Sequence, residues 1–290
     1  MDWIFTVEES LPWFLPVGVF ILGLLCGSFL NVCIYRIPEG RSVIWPPSAC
    51  QCGQKIPAYL NIPILSWLFL SGKAACCGRK IPARYPLVEF ITALLFYLSW
   101  IQKEPTTALV GMAFFGILIA ATFIDFDHMI IPDCFSIGGT ILGIGLSVAL
   151  PQIHGFESGI LANHWNSWIA SMLGVLVGTS LVYWISVIAE LILKKPAMGE
   201  GDIKFLACIG AFTGWQGAIF ALFGGAFIGT ISLIPFLIKQ RISTASSKSQ
   251  LGSTEVPFGP MLALGAIVYF LFLENQVYEY FAQVNSLFTL

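Results

Sequence analysis

Six stretches of this chain, 10–35, 105–124, 134–155, 158–189, 205–238 and 256–273, contain no Lys, Arg, Asp or Glu. Most reach the roughly 20 apolar residues a helix needs to cross a bilayer. A shorter run, 90–101, also crosses if 85–89 form its first turn. Closed barrels are the other way to satisfy backbone polar groups in lipid, but these runs lack the alternating pattern a barrel requires. With 57% hydrophobic and 10% charged residues, against about a quarter charged in soluble chains, the chain reads as an all-α polytopic membrane protein. The run 10–35 is too long for a removable signal peptide and lacks its basic start and small-residue cleavage site, so it reads as a retained span.

The basic residues set the expected orientation. Arg36, Arg41, Lys55, Lys73, Arg79, Lys80 and Arg84 fill one loop; Lys194, Lys195 and Lys204 a second; Lys239, Arg241 and Lys248 a third. These loops share one side only if 205–238 is a hairpin of two helices broken near "TGWQG" (213–217), which makes about eight spans. The positive-inside rule then puts 13 of the 14 Lys and Arg in the cytoplasm and both termini outside.

The expected organisation is transmembrane helix 1 over 10–35, a cytoplasmic domain over 36–85, and seven further spans over 86–276. These last carry a flexible Ser/Thr-rich cytoplasmic loop at 240–255. A net charge of −2 singles out no class of partner. No nucleic acid is expected, and the lipid bilayer is.

Inside the polar domain "CGQKIPA" (52–58) recurs as "CGRKIPA" (77–83), each preceded by another cysteine. Cys50, Cys52, Cys76 and Cys77 are therefore candidate ligands of a structural zinc ion. Four thiolates hold zinc tetrahedrally, and a loop too small for its own core gains folding free energy from the ion. The cytoplasm disfavours disulfides. The spacing is irregular, C-x-C and C-C in place of C-x-x-C, which leaves open that the knuckles are held by packing alone. Cys26, Cys33, Cys134 and Cys208 lie in or beside apolar helices, where a small buried hydrophobe is the expected role.

A carboxylate at membrane level is costly and calls for a function; Glu89, Asp125, Asp127, Asp133, Glu190, Glu200 and Asp202 are the candidates. Asp125 ends the third span and Asp202 begins the sixth, both at the cytoplasmic face. Two such acids meeting at one depth can share a proton, one activating water while the other protonates a scissile carbonyl. That is metal-free peptide hydrolysis. Gly199 and Gly201 beside Asp202 leave room for an extended substrate backbone. The plain alternatives are a helix N-cap for Asp202 and a solvated interface residue for Asp125.

The stretches "GSFLNVCIYR" (27–36), "NIPILSW" (61–67), "RYPLVE" (84–89), "IDFDHMIIPD" (124–133), "GEGDIK" (199–204) and "PFGP" (257–260) together resemble the bacterial type IV prepilin peptidases. The resemblance implies a GxGD-type intramembrane aspartic protease with Asp125 and Asp202 catalytic. It implies removal of the leader of type IV prepilins or pseudopilins after a Gly, then N-methylation with S-adenosylmethionine, at the cytoplasmic (inner) membrane of a pilus or type II secretion system. Asp133 is then a supporting residue, and Asp127 and His128 are solvated. No glycine-rich fingerprint marks the methyl-donor pocket; Glu89 and "NIPILSW" are the candidates. The alternatives carried forward are a peptidase with a degenerate methyltransferase loop, a carboxylate-relay transporter, and an assembly factor without catalysis.

Overall fold

The computed structural model describes residues 11–50, 52–194, 198–244 and 257–288, with no side chains described at 58, 232–244, 282 and 284–288. The loop expected to be flexible, 240–255, falls outside them beyond Thr244. Among the described residues there is no strand, only two isolated antiparallel bridges, Ala49 with Lys55 and Lys73 with Lys80. The longer regular elements are helices: α1 (Phe14–Arg36), the short α2 (Leu65–Phe69), α3 (Arg84–Gln102), α4 (Pro105–His128), α5 (Asp133–Ala149), α6 (Leu161–Leu193), α7 (Glu200–Thr244) and α8 (Gly259–Val268). A π turn (Tyr269–Leu273) carries α8 into α9 (Glu274–Phe288). Among the described residues six helical segments are long and apolar enough to cross a membrane: α1, α3, α4, α6, residues Glu200–Ile231 of α7 and Gly259–Phe281. α5, at 17 residues, is a shorter apolar helix. The protein is a multi-pass membrane protein.

The chain divides into two compact units, Met1–Ile124 and Asp125–Leu290. In the first, α1 and α3 run antiparallel. The positions a Cβ would take at Gly23 and Gly27 fall 2.5 Å from Ala93 Cα and 2.6 Å from Glu89 Cα, and Asn31 Nδ2 donates to the Tyr85 carbonyl at 3.1 Å. Small residues let the two backbones touch, the usual device between helices in lipid. α3 and α4 form the next hairpin, tied at one end by Ser99 Oγ to the Ala108 carbonyl (3.1 Å) and at the other by an Arg84 N–H to the Phe123 carbonyl (3.0 Å).

The second unit packs on the same rule. α6 buries Ser167, Ser171, Gly174, Gly178 and Val182, and α5 buries Ser136, Gly139, Gly143 and Ser147, while Leu176, Trp184 and Leu191 of α6 lie 60% or more exposed. Small residues inside and large apolar ones outside is the inverse of a soluble helix. Cys134 is exposed, against the expectation of burial. It sits two positions before Ser136, off the i, i+3, i+7 stripe that α5 turns inward.

α7 breaks where expected. Gly214 has φ 69° and ψ −176° in an otherwise helical run, a backbone open to glycine alone without strain. The chain reverses there: the Leu206 carbonyl and Ala218 Cβ both pack on Gly178, 2.8 and 3.4 Å from where its Cβ would be, although twelve residues of straight helix span about 18 Å. The returning half then runs antiparallel to α8, Gly225 against Met261 and Gly265 against Ala221.

Candidate active site and thiol cluster

α4 stops just after Asp125. Met129 takes a left-handed conformation (φ 55°) while its N–H bonds the Asp125 carbonyl at 3.0 Å, and Pro132 holds the next link extended (φ −61°, ψ 141°) before α5. This is a helix C-terminus closed by an αL residue with a proline following. Asp125 is thereby fixed in the last helical turn, and its side chain is only 6% exposed. Asp202 lies in the first turn of α7, its own N–H bonded to the Gly199 carbonyl at 3.2 Å.

The second unit brings the two acids together. Gly259, first residue of α8, donates its N–H to Asp125 Oδ2 at 3.1 Å. Ile131, in the connection between α4 and α5, touches both sides: its Cδ1 lies 3.1 Å from the Cβ position of Gly259, and its own Cβ lies 3.4 Å from that of Gly201. The Asp202 carboxyl sits within electrostatic reach of Asp125, and Asp202 Oδ2 is 3.7 Å from where a Gly199 side chain would begin. Within the second unit the two carboxyls thus lie near one another, between its first residues, the start of α7 and the start of α8, with glycines at 199, 201 and 259 around them.

Asp133 stands aside from the pair. It pairs with Lys204 Nζ at 2.8 Å while 62% exposed; such a contact contributes about 1 kcal/mol at most and ties the start of α5 to the start of α7. Asp127 and His128 are exposed, as expected. The roles of Gly259 and Ile131 were not legible from the residues. "PFGP" was visible as a motif, but nothing in it indicated that its glycine N–H would face a carboxylate far back in the chain.

In the first unit the four loop cysteines converge. Cys50 Sγ lies 3.6 Å from Cys77 Sγ and Cys52 Sγ 3.4 Å from Cys76 Sγ, all four within 4.8 Å of one another. The two knuckles are built alike: Gly53 N–H bonds the Cys50 carbonyl and Gly78 N–H the Ala74 carbonyl, each at 2.8 Å, and both glycines have positive φ. Zinc–sulfur bonds of about 2.3 Å put tetrahedral sulfurs about 3.8 Å apart, so the donor set and its spacing fit a metal ion despite the irregular sequence spacing. The thiols also polarise one another. The Cys52 backbone N–H, then the neighbouring thiols, bring Cys50 down to about 6, while the hydrogen bonds of Cys50 and Cys52 push Cys76 up to about 12.

Glu89 and "NIPILSW" also meet. Ile64 N–H donates to Glu89 Oε2 at 2.7 Å, and Ser28 hydrogen-bonds the same side chain. Ile64 holds φ 58° and ψ −51° at the start of α2, a genuine outlier for a β-branched residue.

Comparison with known proteins agrees with this layout. The family model described as Bacterial Peptidase A24 N-terminal domain matches residues 21–103, and that described as Type IV leader peptidase family matches 112–234. A protein of Dichelobacter nodosus named prepilin leader peptidase/N-methyltransferase is 34% identical over 94% of this chain and 95% of its own length. One of Escherichia coli O78:H11, named type 4 prepilin-like proteins leader peptide-processing enzyme, is 36% identical over 91% of this chain and 96% of its own. A Dickeya chrysanthemi prepilin leader peptidase/N-methyltransferase is 33% identical over 86% and 89%. No solved structure matches. Near-complete coverage by relatives above 30% identity carries the assignment: the chain belongs to the Type IV leader peptidase family.

Proposed function

We propose that this protein is a membrane-embedded aspartic endopeptidase that removes the leader of type IV prepilins or pseudopilins after a glycine, and an N-methyltransferase that then methylates the new N-terminus from S-adenosylmethionine. The observation that carries the peptidase reading is that Asp125 and Asp202, 77 positions apart in sequence (202 − 125), lie within electrostatic reach of one another on either side of Ile131, with the Gly259 N–H on Asp125.

In this reading the pair shares one proton. The ionised carboxylate takes a proton from water as the water attacks the scissile carbonyl, and the protonated partner gives its proton to the developing oxyanion. On collapse of the tetrahedral intermediate the C–N bond breaks and a proton passes from the pair to the leaving amine. The Gly259 N–H fixes one Asp125 oxygen, the bare glycine at 199 admits an extended backbone beside Asp202, and Gly201 lets Ile131 pack close. An N-cap role for Asp202 does not explain a second acid set beside it.

Eight crossings follow if α5 and both arms of α7 each span the bilayer. The dyad and the cysteine domain then face the cytoplasm, with both termini on the far side of the inner membrane, in line with the 13 of 14 Lys and Arg in the three loops. Cys50, Cys52, Cys76 and Cys77 are the residues that would hold a structural zinc ion; its part is to close the two knuckles, with no role in either reaction. The purified protein, incubated with a prepilin peptide and a methyl-labelled donor, should yield both the shortened peptide and its methylated form by mass. Absence of cleavage with the protein intact would remove the peptidase assignment.

A further inference from the structure

The relatives' names carry two activities, and the peptidase model ends at one of them: it matches 112–234 and leaves 21–103 to a separate domain model. The first unit holds a groove of about 300 Å³ wholly within that segment, between one face of α1 (Leu25, Ser28, Phe29, Val32, Arg36) and the loop residues 43, 44, 46–48, 61 and 63. That volume lies at the lower end of small-molecule sites. Its lining is mixed in a specific way: an apolar and aromatic wall, two serine hydroxyls (Ser28, Ser48), the Asn61 amide and one guanidinium. Among the described residues the Arg36 guanidinium is engaged through Nη1, by the Ser42 and Val43 carbonyls at 3.1 and 3.5 Å, which leaves its other N–H groups for a ligand.

The walls are locked rather than loose. Buried Glu89 accepts from Ile64 N–H and from Ser28, joining the loop wall to the α1 wall, and Gly27 packs on the Glu89 backbone. An isoleucine held at φ 58° and ψ −51° beside that bond is strain the local sequence does not require, and such strain clusters at ligand sites.

We propose that this groove is the methyl-donor site. Its occupant is S-adenosylmethionine, with the donor carboxylate on Arg36, the nucleoside against Phe29 and Val32, and its hydroxyls on Ser28, Ser48 or Asn61. Glu89 is a positioning residue that holds the two walls in register. Transfer is a single displacement: the lone pair of the unprotonated N-terminal amine attacks the sulfonium methyl, the N–C bond forms as the S–C bond breaks, and a neutral thioether leaves while the amine becomes a methylammonium. The proposal rests on the methyltransferase half of the proposed function.

The test is steady-state methylation of a mature pilin N-terminal peptide by the full-length protein in detergent, with direct binding of S-adenosylhomocysteine alongside. Arg36→Ala should raise the donor KM at least about tenfold with kcat little changed, the signature of one lost charge-assisted contact, and Arg36→Lys should recover part of it. Val32→Trp and, independently, Ser48→Trp should abolish S-adenosylhomocysteine binding by filling the groove from opposite walls. Glu89→Gln, which keeps an acceptor for Ile64, should retain a donor KM within a few-fold of wild type, while Glu89→Leu should raise it. Leader cleavage by the same samples reports an intact bundle. If wild type methylates and both Trp variants do so with unchanged donor KM, the groove is not the site. If wild type neither binds the homocysteine product nor methylates, the methyltransferase reading itself fails.

Discussion

The Gly259 N–H donates to Asp125 Oδ2 across 134 positions of sequence at 3.1 Å, in a buried setting. A methyl group at 259 would start 2.6 Å from that oxygen, closer than real Cβ atoms come, and a tight 3.1 Å from Ile131 Cδ1. Gly259→Ala must therefore push the carboxylate or α8 aside. Since displacements of about 1 Å at a reacting centre cost on the order of a hundredfold, leader cleavage should fall by about that factor. Methylation of a pre-cleaved peptide should stay near wild type. Cleavage at the wild-type rate would show that the hydrogen bond does not position the acid.

On the proposed mechanism Asp125→Asn and Asp202→Asn each remove the proton exchange on which general acid–base hydrolysis depends. Cleavage should drop by about a thousandfold or more in either variant, with the double variant scarcely worse than the singles because the pair acts as one unit. Membrane insertion and expression should be unchanged. A double Asn variant processing a prepilin normally would dismiss the dyad.

Elemental analysis of the purified protein should find one zinc per chain. Cys52→Ser and Cys77→Ser, or a strong chelator, should release it and lower thermal stability, because the ion closes a loop with little core of its own. Metal-free protein with unaltered stability would leave the knuckles to packing alone.

His154 predicts a pH dependence of stability. It lies in the 3-10 turn Pro151–His154 between α5 and α6, 2% exposed, and burial brings it down to about 4. Its Nε2 is buried and has no hydrogen-bond partner among the described residues. The folded state therefore binds that proton less readily than the unfolded chain. The stabilisation is complete above the unfolded value near 6.5 and is lost as pH falls from there toward 4. Over the whole window this is about 3 kcal/mol, so the melting temperature should decline between pH 7 and 5. His154→Gln should flatten that decline; a slope identical to wild type would assign it to other groups.

The bilayer made much of this fold legible in advance. Long uncharged runs have few ways to satisfy their backbone in lipid, and "TGWQG" broke 205–238 because Gly214 adopts a conformation its neighbours cannot. Asp125 and Asp202 stood out because charge at membrane depth is expensive. The cysteine repeat was visible too, though its irregular spacing left open a metal that the folded geometry accommodates: the two Cys-Gly turns face one another, Cys50 against Cys77 and Cys52 against Cys76, so the four sulfurs converge across the knuckles rather than within each pair. The expectation for Cys134 failed because an apolar run does not say which face of its helix turns inward.

Local chemistry, read along the chain, determined the helices, the break at Gly214 and which acids needed a reason to exist, since each depends on burial cost or backbone freedom within a few residues. Tertiary packing alone decided that Gly259 meets Asp125, that Ile131 lies between Gly201 and Gly259, and that Glu89 fastens Ile64 to α1. Those contacts join residues far apart in sequence, and only the close approach of glycine-lined helices sets the distances between them.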